Sequence, residues 1–272
     1  MLHSQAAQLA PLLCAVVVSF PRSGTHFTLD FLRRNFAEFA FRPRLWESSE
    51  TLYVNLDVRT AEEEALADAF RSRSGAPKPG RAHFAAADRA NFLVKTHDLP
   101  FASRSLQQRL LTFTKNHVIA ELYPFRRMSA TAVSYHAHQN DHASIPDFLA
   151  CRDPFLGTSS SVLQTMLDHG EWGLHNALPI DIEDMQLRPH AYGEALASHF
   201  GWTFAPPADP LPPKRIASGM MGEFIERFRG RASSEVVITA KRRPRSEAAY
   251  VDEDGPLADL YRALKHAALR PR

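Results

Sequence analysis

The residues with the clearest capacity for chemistry lie just after short apolar runs. Phe20-Pro21-Arg22-Ser23-Gly24-Thr25-His26-Phe27 follows the run Ala15 to Phe20 (AVVVSF) and leads into a segment whose apolar residues recur at helical spacing. A turn between a strand and a helix aims free backbone N–H groups and the positive end of the helix dipole at one point, which suits a bound anion. Gly24 permits close backbone approach, Ser23 and Thr25 add hydroxyls, and Arg22 adds a fixed charge able to bond two phosphate oxygens at once. The nucleoside-triphosphate pattern GxxxxGK(S/T) is absent, which disfavours a βγ-phosphate cradle of that type. Taken alone, the same residues also fit a plain turn carrying a surface arginine. Lys95 ends a second apolar run, Asn91 to Lys95 (NFLVK), with Thr96 and His97 after it, and Arg126 follows a third, Val118 to Phe125 (VIAELYPF). An imidazole with an unperturbed pKa of ~6.5 suits a general base near neutrality, whereas arginine keeps its charge at every working pH.

These residues need a scaffold that brings strand ends together. AVVVSF is β-branched and apolar on both faces, as expected for a strand buried on both sides of a parallel sheet. Thr25 to Ala40 reads as a helix with Phe27, Phe31 and Leu32 on its apolar stripe. Residues 61–73 read as an exposed helix and 74–80 as a surface loop. Helical spacing resumes over Ser129 to Ala137, Ala177 to Ile182 reads as a weaker fourth strand, and Pro189 to Phe200 and Pro256 to Ala268 read as helices. Strands alternating with helices predict an α/β fold, a three-layer sandwich with a central, mostly parallel sheet. One domain over 1–272 is expected, with a loop-rich C-terminal third from about residue 205, where the Pro-rich segment 206–213 begins an irregular stretch. Open α/β sheets bind ligands at the carboxyl ends of their strands, the edge where the first loop, His97 and Arg126 all fall.

Composition narrows the function classes. The chain has 272 residues, 44% hydrophobic and 23% charged, which argues against disorder and fibrous repeats. Its 32 Lys and Arg balance 30 Asp and Glu for a net charge of +2, too even for a nucleic-acid coat or a membrane-surface protein. Two cysteines, Cys14 and Cys151, cannot form a disulfide framework and read as reduced thiols. The apolar stretch Leu9 to Phe20 lacks a basic flank, carries Pro11 and runs into Pro-Arg-Ser-Gly where a secretory leader would have a small-residue cleavage site. No other segment reaches the ~20 apolar residues that span a bilayer. A cytoplasmic protein is expected.

The order of strand, Pro21-Arg22-Ser23-Gly24-Thr25 and helix resembles the 5′-phosphosulfate loop of sulfotransferases that use 3′-phosphoadenosine 5′-phosphosulfate (PAPS). Three further segments are similar to that family, in its order. Leu93 to Pro100 (LVKTHDLP) resembles the segment whose histidine is the catalytic base. Arg126, followed eight positions later by Ser134 in RRMSATAVSYH, resembles the 3′-phosphate segment. Ile182-Glu183-Asp184-Met185 resembles a segment preceding a helix. The resemblance covers residues 15 to about 200. A fifth, weaker likeness runs from Gly219 through Gly222, Glu223 and Phe224, where Ala217 and Ser218 stand in place of the family's two basic residues. His26 replaces a usual hydroxyl residue, Phe27 a usual tryptophan and Ile182 a tyrosine.

The resemblance implies a P-loop-like sulfotransferase architecture and transfer of a sulfuryl group from PAPS to a hydroxyl or amine acceptor, releasing adenosine 3′,5′-bisphosphate (PAP). His97 would act as the base, with Arg22 and Lys95 meeting the charge that develops on the leaving group. Arg22, Ser23, Gly24, Thr25, His26, Phe27, Arg126, Ser134 and Gly219 would hold the nucleotide. The acceptor is expected to be a small molecule or a glycan; its class is not legible, nor is the oligomeric state. The alternatives are a non-catalytic nucleotide-binding or scaffold protein on the same fold and a P-loop kinase-like phosphotransferase.

Other signals point to no function. His138 and His142 could share a helical face with His136 nearby, yet no carboxylate or cysteine stands at ligand spacing, so no metal is expected. Lys241 to Arg245 is a basic run within a balanced chain, read as a solvated loop or a lid over the nucleotide in preference to a nucleic-acid site. Trp172 and Trp202 read as core residues.

Overall fold

The computed structural model describes residues 12–39, 51–55, 91–97, 99, 117–139, 144–153, 159–212 and 250–271. Leu12–Val18 forms β1, the middle strand of a sheet ordered β2-β3-β1-β4-β5. β2 is Thr51–Asn55, β3 Asn91–Thr96, β4 His117–Phe125 and β5 Leu178–Asp181, and every pairing is parallel. The expected central parallel sheet is therefore present, and its four anticipated strands are joined by β2.

The reason for the unbroken apolar run in β1 is visible in its packing. Cys14, Val16 and Val18 face one layer and Ala15 and Val17 the other, all almost fully buried. Strand alternation sends successive side chains to opposite faces, so a strand covered on both must be apolar throughout. Each fully buried valine gains roughly 1.5–3 kcal/mol against exposure, which anchors the loop that follows β1.

Two layers of helix cover the sheet. On one face lie α1 (Thr25–Asn35), α5 (Ile182–Leu187) and α6 (Pro189–Phe200), with Leu29, Phe31, Leu32, Met185, Tyr192 and Leu196 in the core. On the other lie α2 (Met128–Gln139), α3 (Ile145–Ala150), α4 (Val162–Asn176), α7 (Tyr250–Glu253) and α8 (Pro256–Ala267). This is the three-layer α/β arrangement. Trp172 and Trp202 are both buried, the latter among Phe36, Phe39 and Phe200.

α1 stops at Asn35, five residues before the expected end. Asn35 Nδ2 donates to the Phe31 carbonyl at 2.8 Å and to that of Pro210 at 2.9 Å, and Phe36 turns extended to bridge Phe204. A short 3₁₀ turn, Ala37–Phe39, follows. The expectations for 61–73, 74–80, His142, Gly219 and Lys241 to Arg245 fall outside the described residues. No helix among the described residues is long and apolar enough to cross a membrane.

The chain leaves β1 into α1 on one face and leaves the adjacent β4 into α2 on the other. Connections that part to opposite faces open a crevice at the carboxyl ends of the two strands. The site is built there.

Candidate functional site

The turn after β1 is held in an unusual backbone state. Ser23 N–H donates to the Phe20 carbonyl at 3.2 Å, closing a four-residue turn with Pro21 second and Arg22 third. Arg22 has φ 68°, the left-handed region. A positive φ at the third position is what a type II turn requires, and glycine or asparagine normally supplies it. An arginine there stores roughly 1–3 kcal/mol of strain, which persists where the surrounding structure over-determines it. Gly24 has φ 121°, and a Cβ built on it would stand 2.5 Å from Ile182 Cγ1. Ile182, at the start of α5, thus lies directly against the loop and leaves room for glycine alone.

The loop also fixes its own hydroxyls. Ser23 Oγ donates to the Phe20 carbonyl at 2.7 Å, and Thr25 Oγ1 is hydrogen-bonded to Ser19 Oγ. Both residues are buried, so their side chains shape the turn more than they face a ligand. The N-terminus of α1 has no capping side chain and no acidic residue in its first turn. Its first amides form the positive end of an uncapped helix. His26 and Phe27 are half-buried on that turn, and Phe27 packs against the α1-side core.

β3 runs beside β1 and delivers the histidine to this loop. Val18 pairs with Thr96, and Ser19 N–H continues the ladder to the Thr96 carbonyl at 3.2 Å. His97 Nδ1 donates to the Ser19 carbonyl at 2.8 Å, and its ring is almost fully buried. A carbonyl only accepts, so Nδ1 carries a proton, and a neutral ring held this way has its lone pair on Nε2. That is the tautomer a general base needs. Lys95 is also buried, on the α1 face by strand alternation.

β4 and α2 supply the other side. Arg22 Nε donates to Ser134 Oγ at 3.3 Å, so the first loop and α2 meet across the crevice. Partial burial lowers the Arg22 pKa, an effect too small to remove the charge of a guanidinium. Burial, and then Arg22, push His138 down as well. Arg126 is half-buried and folds back to donate from Nη2 to the Ala130 carbonyl at 3.0 Å. Arg127, the neighbouring cation, is exposed and pairs with Glu183 Oε2 at 3.4 Å.

Three contributors carry no local sequence signal. Ser19 is the last polar residue of an apolar run, and nothing in its spacing announces that its carbonyl holds a residue 78 positions away. Asp252 on α7 accepts from Ser129 N–H at 3.0 Å and from Ser129 Oγ, closing the first turn of α2 from 123 positions away. His169 on α4 is buried against the Phe20 ring, centroids 5.8 Å apart. The open cleft between α5 and α8 holds none of the expected residues, and its cations are engaged, Arg188 with Asp184 and Lys265 with Asp181.

No family model matches the chain, and no curated protein matches it. The donor set itself is the test of fit for a nucleotide carrying two phosphate groups. Arg22, Arg126, Ser134 and the uncapped α1 amides offer donors and positive charge, and no carboxylate is hydrogen-bonded to the loop at Pro21 to Thr25 among the described residues. The set fits.

Proposed function

We propose that the protein is a PAPS-dependent sulfotransferase. The observation that carries the reading is the bond from His97 Nδ1 to the Ser19 carbonyl, which fixes the imidazole beside the Pro21–Thr25 turn in the tautomer that has its lone pair on Nε2 when the ring is neutral. The four segments resembling the family, in the family's order, support the same reading.

Bound PAPS supplies the sulfuryl group; the acceptor oxygen bonds to sulfur as the bridging S–O bond breaks and its electron pair leaves with PAP. The chain's own residues position, neutralise and remove a proton. The Pro21–Thr25 turn and α1 amides hold the 5′-phosphate end, with Arg22 facing the negative charge that grows there. Lys95 is the second cation for that charge. Arg126 and Ser134 hold the 3′-phosphate, the group separating PAP from ADP. His97 Nε2 receives the acceptor hydroxyl's proton as attack begins. The acceptor is a small molecule or glycan presenting a hydroxyl or amine. A kinase-like reading lacks the lysine that a βγ-phosphate loop requires.

The test is sulfuryl transfer from labelled PAPS to a panel of phenols, alcohols, saccharides and amines. Wild-type protein labels at least one class, and His97→Ala reduces turnover ~10²–10⁴-fold with PAP affinity nearly unchanged. No labelled product, or equal turnover by the variant, removes the reading or the base respectively.

A further inference from the structure

A second concave feature lies apart from the crevice, between α5 and the end of α8. Its volume is about 580 Å³, within the range of small-molecule sites. Asp181, the last residue of β5, lines it, and Leu269 N–H donates to the Pro179 carbonyl of the same strand at 3.4 Å, which ties the chain leaving α8 to the sheet edge. Ala268, Leu269 and Tyr261 give the lining its apolar part. Tyr261 donates its hydroxyl to Glu183 Oε2 at 3.2 Å and sets its ring against Phe125, with centroids 6.0 Å apart. Its hydroxyl is taken, so what it offers an occupant is the ring.

Cations stand on both walls. Arg188 comes from the α5 side, and Arg262, Lys265 and Arg270 from α8 and the chain just after it, against two carboxylates, Asp181 and Asp184. Those carboxylates take Lys265 and Arg188. Arg262 pairs with Asp259, outside the lining, and Arg270 reaches only the carbonyl and Nδ1 of His266, at 3.5 and 3.4 Å. Two cations of the lining are thus left unneutralised by its own carboxylates. All three arginines are exposed, and none uses Nη1 in a hydrogen bond among the described residues. Fold stability gives no reason for the grouping. Arg188 is the N-cap residue of α6, where the helix dipole disfavours a cation, and it makes no cap bond there. Exposed ion pairs contribute little, so these guanidinium groups turn to an incoming anion at small cost. Each can then bind a carboxylate or phosphate through two N–H groups at once.

We propose that the cleft between α5 and α8 is a second ligand site, taking a small organic dianion whose ring packs on Tyr261 and whose charged groups reach Arg188 on one wall and Arg262 and Arg270 on the other. None of its lining residues belongs to the nucleotide set, and the inference stands whether or not the protein transfers sulfuryl groups.

The probe is isophthalate, a benzene ring carrying two carboxylates, titrated into the full chain by calorimetry at physiological salt. Saturable binding at one site is expected, with a dissociation constant of about 1 mM or lower. Benzoate, with one carboxylate, and glutarate, with two but no ring, should each bind about tenfold more weakly. Arg270→Ala is expected to weaken isophthalate about tenfold, and Arg188→Ala to weaken it more, because it also uncovers the Asp184 carboxylate. Both side chains are exposed, so both variants should melt close to the wild type. Arg22→Ala, in the crevice, should leave isophthalate binding unchanged. Absence of saturable binding, or equal affinity for benzoate or glutarate, overturns the proposal. Binding that Arg22→Ala abolishes and both cleft variants retain would also overturn it, by placing the anion in the crevice.

Discussion

Two helices begin at the crevice, and their first turns are finished in opposite ways. α1 opens with Gly24, no capping side chain and no acidic residue. α2, which starts at Met128, has Ser129 of its first turn held through its amide and hydroxyl by the carboxylate of Asp252. The dipole offers each N-terminus the same partial positive charge. At α1 no side-chain cap or first-turn carboxylate meets that charge; at α2 the Asp252 carboxylate takes it. On the proposed function, anion binding at the α2 side falls to side chains, Arg126 and Ser134, and the two ends of the nucleotide would be gripped by different physics. The first grip is backbone and rigid, fixed by an arginine in a left-handed turn and by Ile182 against Gly24. The second is side chain and adjustable, since Arg126 presently bonds its own helix at Ala130.

The sharpest way to break this contrast is at the rigid end. Arg22→Ala is expected to lower sulfuryl transfer ~10²–10³-fold, the usual loss of one preorganised donor, while leaving the fold as stable as before or more so. Arg22→Gly, which relieves the positive φ, should raise stability by about 1 kcal/mol in denaturant unfolding while losing the same activity. Gly24→Ala adds a Cβ 2.5 Å from Ile182 Cγ1 at φ 121°, and a loss of roughly 3 kcal/mol is expected from overpacking and strain together. A melting temperature within error of wild type would mean that Ile182 moves aside freely.

The adjustable end should give smaller numbers. Arg126→Ala is expected to weaken PAP binding about 10–100-fold by calorimetry while leaving ADP binding unchanged, since a charge-assisted bond is worth roughly 1.5–3 kcal/mol. Asp252→Asn probes the plug itself. Removing that charge from the α2 N-terminus should destabilise the fold by about 0.5–1 kcal/mol and tighten PAP about two- to fivefold. Weaker PAP binding in this variant would make Asp252 part of the grip.

The smallest expected effect is a slope. The folded protein holds His169 neutral down to about pH 3, whereas the unfolded chain protonates it near 6.5. Below 6.5 the unfolded state therefore binds the extra proton, and stability falls as pH drops from 6.5 towards 3. His169→Phe should flatten that limb of the melting curve.

How far the sequence reveals this molecule depends on distance along the chain. The β1 run and its turn were legible because burial on both faces writes an uninterrupted apolar string, and a strand-to-helix turn needs glycine. Pro189–Phe200 is bounded as expected because proline opens it and Gly201, in a left-handed conformation, closes it. β2 is not anticipated: in its five residues only Leu52, Tyr53 and Val54 form a run, too short to carry a strand signal. α1 ends earlier than its apolar spacing predicts because its end is set by Asn35 reaching Pro210, 175 positions on. The same limit hides Ser19, His169 and Asp252, whose roles come from partners that the sheet order alone brings near. Residue types name the chemistry here; only the fold names the partners.

The central claim is that one nucleotide with phosphates at both ends bridges the Pro21–Thr25 turn and the Arg126/Ser134 pair. Thermal unfolding with PAP and with ADP, each at 100 times the PAP dissociation constant, tests it most directly. PAP should stabilise the wild type by ~2.7 kcal/mol, ADP by much less, and Arg126→Ala should bring the two nucleotides together. Equal stabilisation of the wild type by both would contradict it.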